Sequence, residues 1–431
     1  MKKSTFFFVF LLLVVTVLLA LNYFYKPFHN IFLSRMDSAQ EASPAAVTAT
    51  PDPVAVVLGE MSVKEKISQL IAFPLTLSDS EIESSAEAES KTEESEQAKD
   101  STGVGVLIQE YSDKAANLPG TTTIDWIKNN NPGFILIFGQ EINFALAQKE
   151  ISVILDQYQA EALFPLFAVD HEGGAVQRLT GEDFTVLPSW QAVCQQEDEA
   201  VNELFKKSAV ELSTAGINVV FAPVLDFGKN NNVLKNRVCA DAEITAKRAE
   251  QYILAFAQAG ILPVVKHFPG IGKITKDPHH LSHVISLEPA DSQIFQKILE
   301  KYPNVGVMTA HVALKDKLDN QVCSLSKTCL AAFPSSLPEV LIFTDALDML
   351  AARIDRNAES SNAELKSLTQ VAKEAMLAGN DVLVFGKGVK ADDIYQVIDD
   401  LAAEYESNEE FERKVNWSLK KVLELKQMKG E

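Results

Sequence analysis

Short apolar runs alternate with segments of helical spacing along most of this chain, and that alternation limits the fold more than any other feature. The runs are FILIFG (134–139), LFAVD (166–170), INVVFAPVLDF (217–227), LPVVKHF (262–268), VGVMTAH (305–311), VLIFTDAL (340–347) and DVLVFG (381–386), with LIAF (70–73) as an eighth. Between them lie stretches such as NFALAQKEISVILDQYQAE (143–161) and AEITAKRAEQYILAFAQAG (242–260), whose apolar positions recur three and four apart. Strands apolar on both faces and separated by helices pair in parallel, with the helices outside. Eight such units in roughly 370 residues predict an α/β fold, a (β/α)8 TIM-type barrel. A doubly wound open sheet is the alternative. It calls for a glycine-rich phosphate loop after its first strand, and neither GxGxxG nor GxxxxGK[ST] stands there.

A barrel of this kind places its chemistry where strands end and the following loops begin. Charged or imidazole side chains end five of the runs: Asp170, Asp226, Lys266 with His267, His311, and Asp345 with Asp348. Solvation alone is a poor reason for so many polar residues at one end of buried strands.

The ends of the chain narrow its setting. Residues 6–25 are apolar apart from Thr16 and Asn22, and twenty residues in a helix span roughly 30 Å, enough to cross a bilayer. Lys2 and Lys3 precede the run and favour a cytoplasmic N-terminus with the remainder exported. A cleaved signal peptide is the rival, but LALNYFYKPF offers no small-residue cleavage site. The expected organisation is a transmembrane anchor over 1–27, a linker over 28–53, and a barrel over 54–431. The barrel starts with a capping box, SVKE (62–65), and carries an acidic insertion at 76–104. That insertion is too polar to offset its ordering entropy and reads as disordered. Its core, from Asp79 to Asp100, has nine acids and two lysines in a chain of net charge −20. Such a charge excludes nucleic acid as a partner. The expected location is the cell membrane, single-pass, with the barrel extracytoplasmic. The four cysteines, Cys194, Cys239, Cys323 and Cys329, allow three pairings that sequence cannot separate, and free or incidentally paired thiols are expected.

Five segments in order carry a resemblance: AVDHEGGAVQRL (168–179), GINVVFAPVLDF (216–227), KHFPG (266–270), DPH (277–279) and FTDALDM (343–349). They are similar to the motifs of glycoside hydrolase family 3, and most resemble its single-domain β-N-acetylglucosaminidase branch. The resemblance runs from about Ser62 to the C-terminus, interrupted by the acidic insertion. It implies a barrel enzyme that removes terminal β-linked N-acetylglucosamine, from cell-wall fragments or chitin-type oligosaccharides, with retention of configuration.

Retention needs a carboxylate nucleophile and a proton donor. The resemblance places the nucleophile at Asp345, which also ends an apolar strand. It places the proton donor at His279, held by Asp277. An imidazole steadied by a carboxylate suits acid/base work near neutral pH. Asp170, Arg178, Arg237, Lys266 and His267 match sugar-contacting positions, Arg237 only loosely. Glu172, with Gly173 and Gly174, reads as shaping a turn, Asp226 as a structural strand-end acid and His311 as a supporting residue. Gly270, Gly272 and Pro278 suit a loop that swings toward the substrate. The chain departs from the pattern there: Gly270-Ile271-Gly272-Lys273 stands where the family often has GHGD, and Pro278 replaces a usual serine. Asp277, His279, His280 and His283 could instead hold a metal, but proline and glycines argue for a loop, and neither a metal nor a cofactor is expected. Three alternatives remain open: a β-glucosidase of the same family, a barrel that binds glycan without cleaving it, and phosphate in place of water as acceptor.

Overall fold

The computed structural model describes residues 53–77, 123–139, 142–158, 163–228, 233–274, 283–315, 319–331, 340–356 and 365–430. Eight parallel strands realise the alternation. They are β1 (Ile71–Thr76), β2 (Phe134–Phe138), β3 (Leu166–Val169), β4 (Val219–Val220), β5 (Leu262–Phe268), β6 (Gly306–Thr309), β7 (Ile342–Thr344) and β8 (Leu383–Val384). Their order in the sheet is β7-β6-β5-β4-β3-β2-β1-β8. The two edges meet through a parallel bridge between Phe343 and Val382. Across that seam Thr344 N donates to the Val382 carbonyl at 3.0 Å and Leu347 N to the Val384 carbonyl at 2.9 Å. The sheet therefore curls into the expected barrel and is not an open, doubly wound sheet.

Strand length varies for local reasons. β1 and β2 pair over five residues, from Ala72–Phe134 to Thr76–Phe138. The run 217–227 is regular only at Val219–Val220. Pro223 has no N–H to give to a neighbour, so the ladder breaks there. The chain still follows β5: Val224 bridges Lys266, and Leu225 N donates to the Lys266 carbonyl at 2.7 Å. That irregular continuation carries Asp226 to the carboxyl end of the barrel.

The interior is filled by side chains. Phe134, Phe221 and Phe343, from strands that are not neighbours, meet edge to face with ring centres 5.5 and 5.6 Å apart. Helices such as Asp198–Thr214 and Ala242–Gln258 cover the outside, each burying one face. A long C-terminal helix, Glu409–Gly430, packs its Phe411, Val415, Leu419 and Val422 against the barrel.

At the N-terminal boundary the SVKE capping box forms. Ser62 Oγ accepts from Glu65 N, and the Glu65 carboxylate accepts from Ser62 N at 2.7 Å. Pro53 already opens a helix, Pro53–Glu60. Thr76 ends β1 and Leu77 is buried, its N–H given to the Phe138 carbonyl. The barrel therefore reaches into the first two positions assigned to the insertion. The rest of the insertion, the anchor (1–27) and the linker up to residue 52 lie outside the described residues. Among those described, no helix is long and apolar enough to cross a membrane.

Candidate active site

The carboxyl ends of β3, β4, β5, β6 and β7 converge, and the charged residues found there form a connected network. After β3 the chain makes a hairpin, His171–Gly173 against Val176–Gln177. The hairpin returns Arg178 beside Asp170, with Arg178 Nη2 3.4 Å from Asp170 Oδ2 and Arg178 N donating to the Asp170 carbonyl at 3.2 Å. The Arg178 guanidinium also lies over the Phe138 ring at 5.6 Å. From β5, Lys266 Nζ reaches Asp170 Oδ1 at 2.9 Å and Glu172 Oε1 at 2.6 Å. Arg237, on the short turn Lys235–Arg237, grips the same Glu172 with both arms, Nε to Oε2 at 2.8 Å and Nη2 to Oε1 at 2.7 Å.

Glu172 is thus the hub of the network, which corrects its reading as a turn-shaping residue. Its side chain is 1% exposed. Burial alone raises its pKa, but the charges of Arg237 and Lys266 overcome that and hold the carboxyl far below the usual glutamate range. The two cations respond in kind: burial lowers both, and the carboxylates of Glu172 and Asp170 reverse it, so both stay firmly protonated. A charged residue followed by two glycines, shortly after a buried strand, was the available signal. The neighbouring His171 is a core residue. It is buried against Ser208 Oγ at 2.8 Å, and burial pushes its pKa down to about 3.

His267 and Asp226 form a second unit. Asp226 Oδ2 accepts from His267 Nδ1 at 2.7 Å and from His267 N at 3.2 Å, while Oδ1 accepts from Ile271 N at 2.7 Å. Three donors on one buried carboxylate fix the ring and the start of the next loop together. With Nδ1 donating, Nε2 is the remaining ring nitrogen.

Asp345 follows β7 and is half-buried. Its N–H is given to the Thr309 carbonyl at 3.0 Å, and its Oδ1 accepts from Ala346 N at 2.8 Å. Burial raises its pKa, but His311, His267, the Ala346 N–H and Lys266 outweigh that and lower it. Asp345 is an anion at neutral pH and lies within electrostatic reach of three of those side chains. His311 Nε2 contacts the Ala346 carbonyl at 2.9 Å and Nδ1 contacts Ser324 Oγ at 2.6 Å. A carbonyl only accepts, so Nε2 carries the proton and Nδ1 accepts from the serine. Burial lowers the His311 pKa despite the nearby Asp345, so the ring is neutral at pH 7.

Of the eight predicted site residues, Asp170, Arg178, Arg237, Lys266 and His267 share this face with Asp345. Asp277 and His279 lie outside the described residues. The loop leading to them is described as far as Ile274, and this base of it is packed. Ile271 and Ile274 are buried, and Lys273 Nζ meets Asp291 and Glu288, each at 3.0 Å. Gly270 has φ +121°, and a Cβ on Gly272 would stand 2.1 Å from the Phe227 carbonyl oxygen. Both glycines permit close packing of the loop base. The replacements for the family's GHGD residues therefore have partners of their own: an apolar pocket for Ile271, two carboxylates for Lys273. Of the metal alternative, only His283 is described. Among the described residues no group of three His, Cys, Asp or Glu is placed to hold a metal. The four cysteines are all paired, Cys194 with Cys239 and Cys323 with Cys329, so of the expected free or incidentally paired thiols none is free.

A closed parallel barrel with paired charges and imidazoles gathered at its carboxyl end belongs to the class of (β/α)8 enzymes. Residues 62–425 match the glycosyl hydrolase family 3 N-terminal domain, and the chain belongs to that family. Its relatives there are β-hexosaminidases. The β-hexosaminidase of Idiomarina loihiensis is 31% identical over 256 residues, 56% of this chain and 73% of that protein. The β-hexosaminidase of Psychromonas ingrahamii is 38% identical over 160 residues, 34% of this chain and 47% of that protein, so this match spans about half of the relative. In fold, the chain is similar to the β-N-acetylhexosaminidase from Beutenbergia cavernae, with a TM-score of 0.64 at 19% identity. That match covers 85% of this chain and 99% of the other.

Proposed function

We propose that the protein is a retaining β-N-acetylhexosaminidase, exported and held at the cell membrane by its N-terminal helix, that removes terminal β-linked N-acetylglucosamine from cell-wall or chitin-type fragments. The observation that carries this reading is Asp345: an anionic carboxylate at the end of β7, electrostatically coupled to His267, His311 and Lys266. In the proposed reaction Asp345 attacks the anomeric carbon and forms a glycosyl-enzyme. His279, oriented by Asp277, gives its proton to the leaving oxygen and then takes one from the attacking water. Asp170, Arg178, Lys266, His267 and Arg237 bind the sugar hydroxyls. Membership in family 3 and the β-hexosaminidase relatives support the activity and the sugar.

The network has capacity left for a ligand. Arg178 Nη2 makes only a long contact to Asp170, and Arg178 Nε is buried without a hydrogen-bond partner among the described residues. Glu172 and Asp170 together offset the charges of Lys266 and Arg237, so neutral sugar hydroxyls meet preorganised donors.

The test compares nitrophenol release from the β-N-acetylglucosaminide and the β-glucoside by the wild type, Asp345→Ala and His279→Ala. The expected result is turnover of the first substrate alone, with a loss of about a thousandfold or more in Asp345→Ala. Proton NMR of the first-formed sugar should show the β-anomer, and an α-anomer refutes retention. Preference for the glucoside moves the protein to another branch. Glycan affinity without turnover makes it a binding barrel, and sugar phosphate formed in phosphate buffer makes it a phosphorylase.

A further inference from the structure

The Cys194–Cys239 pair lies close behind the network and is used by nothing in the proposed mechanism. It joins residues 45 apart in sequence, with Cα atoms 6.0 Å apart. Cys239 comes two residues after Arg237 and is buried, as are Leu234 and Val238 on either side of the turn. Cys194 ends the short helix Trp190–Val193 and donates its N–H to the Trp190 carbonyl at 3.0 Å. Trp190 is buried in an aromatic cluster, stacked on Phe205 and edge-on to Tyr252, both with ring centres 6.0 Å away.

That cluster also holds the other half of the ion pair. Tyr252 Oη donates to the His171 carbonyl at 2.7 Å, one residue before Glu172. Gly174 N donates to the Leu187 carbonyl at 2.9 Å, tying the same hairpin to the segment that leads into Trp190. Glu172 is thus fixed to the aromatic cluster by hydrogen bonds, and the Arg237 turn is fixed to it by the disulfide. The backbone tie from Gly228 N to the Cys239 carbonyl, 3.0 Å, holds the turn to the segment that follows β4, and Cys239 Sγ also lies 3.9 Å from the Trp190 carbonyl.

We propose that the Cys194–Cys239 disulfide is a positioning device for Arg237, setting its guanidinium against Glu172 so that the sugar-binding subsite is assembled only in the oxidised protein. The disulfide touches no substrate; it acts through Arg237, and the proposal rests on the reading of Arg237 as a sugar-binding residue. A covalent tie removes motion that binding would otherwise have to arrest, so its effect falls on affinity more than on the chemical step. A dithiol reductant would convert the bridge to two thiols, itself becoming a cyclic disulfide. Oxidising compartments preserve such a bridge, in keeping with an exported barrel.

The test uses the full chain as wild type, Cys194→Ala/Cys239→Val, Arg237→Ala and the three changes combined. Alanine and valine keep the buried site apolar; if that variant does not fold, wild type reduced by dithiothreitol under native conditions replaces it. Two readouts are taken: hydrogen exchange over residues 233–241 and 171–177, and KM and kcat for nitrophenyl β-N-acetylglucosaminide. Loss of the disulfide is expected to speed exchange in both segments and to raise KM about tenfold, with kcat within about twofold. In the Arg237→Ala background its loss should leave KM unchanged, because the residue it acts through is gone. Unchanged exchange, or KM effects that simply add, overturns the proposal. If oxidised wild type turns over no glycoside, the functional reading fails, and hydrogen exchange still decides whether the disulfide sets the Arg237–Glu172 pair.

Discussion

Glu172→Gln is the sharpest perturbation of this network, because it removes one charge and almost no volume. In the wild type one carboxylate serves Lys266 at 2.6 Å and Arg237 at 2.7 and 2.8 Å. Glutamine keeps one acceptor oxygen, but its amide NH2 must face groups that only donate. Lys266 retains Asp170 at 2.9 Å. Arg237 loses its ion-pair partner, though a side chain 25% exposed can recruit water. Breaking a buried pair from one side costs about 3–5 kcal/mol, and the remaining partner for Lys266 and the water for Arg237 put this case near the lower end, about 3 kcal/mol. Unfolding entropy of about 2.1 cal/mol/K per residue over about 370 folded residues is roughly 0.8 kcal/mol/K, so Tm should fall by about 4 °C.

The pH dependence supplies an independent check. The folded-state pKa of Glu172 is depressed below the ordinary value of 4.5. Its stabilisation is therefore complete above that value and is lost as pH falls below it toward the folded pKa. Calorimetry of wild type and variant should show the full Tm gap at pH 7 and a shrinking gap below about pH 4.5. KM for the aryl glycoside should rise about tenfold as Arg237 loosens. A Tm within 1 °C of wild type at pH 7, or a gap that does not narrow in acid, would falsify the assignment of Glu172 as the buried counter-ion.

Other regions lend themselves to simpler tests. Asp226→Asn should lower kcat/KM about a hundredfold by releasing His267, measured with the same aryl glycoside, while leaving the far-ultraviolet circular dichroism unchanged. Gly272→Ala should cost about 2 kcal/mol or more in chemical denaturation, since its Cβ would stand 2.1 Å from a backbone oxygen that cannot yield. Lys273→Ala should cost under about 1 kcal/mol, because that side chain is 39% exposed. Lys426, buried against Gln69 Oε1 at 2.5 Å, has its pKa pushed down to about 7 by burial. Its depressed folded pKa makes wild-type stability climb as pH rises from about 7 toward the ordinary lysine value, and Lys426→Met should flatten that slope in denaturant titrations at pH 7, 8.5 and 10.

How legible each part was follows from range. Strands and the long helices were legible because their signals are periodic and local: every one of the eight apolar runs became a barrel strand. The capping box at Ser62 is equally local. Residues at strand ends, such as Asp170, Lys266, His267 and Asp345, share one face for a topological reason, since all parallel strands of a barrel end on the same side. Glu172 was obscured because its role depends on Arg237, 65 residues away, and Lys266, 94 away, while its neighbours Gly173 and Gly174 announce a turn. The Cys194–Cys239 disulfide was illegible because it depends on the approach of residues 45 apart in sequence. Ile271 and Lys273 read as losses against the family pattern, yet a buried pocket and two carboxylates receive them, and neither is visible without the fold.

The seam that closes the barrel joins the site to the C-terminal helix. β7 and β8 are three and two residues long, the seam has a single bridge, and Asp345 stands at its upper end. Backbone hydrogen bonds from Asp381, Val382, Thr344 and Leu347 cross the seam, and a buried side chain adds to them. At its lower end Asp381, fully buried, accepts from Ile342 N at 2.9 Å, Lys414 Nζ at 2.7 Å and Ser418 Oγ at 2.7 Å, and pairs with Lys421 as well. Lys414, Ser418 and Lys421 are four and three apart, one face of the helix Glu409–Gly430. Burial raises the Asp381 pKa, but Lys414 and Lys421 reverse this and hold it ionised. The helix thus supplies the charges that let an anion be buried at the base of β8, and that anion in turn holds β7 through Ile342. Asp381→Asn should therefore lower Tm and, because β7 carries Asp345, lower kcat as well, with little change in KM. Replacing exposed Trp417, which lies on the same helix but is not one of the Asp381 partners, by Ala should leave both unchanged. A destabilised Asp381→Asn protein with wild-type kcat at a temperature well below its Tm would separate the seam from the site, and Asp345 would then be held by its bonds to Thr309 and Ala346 alone.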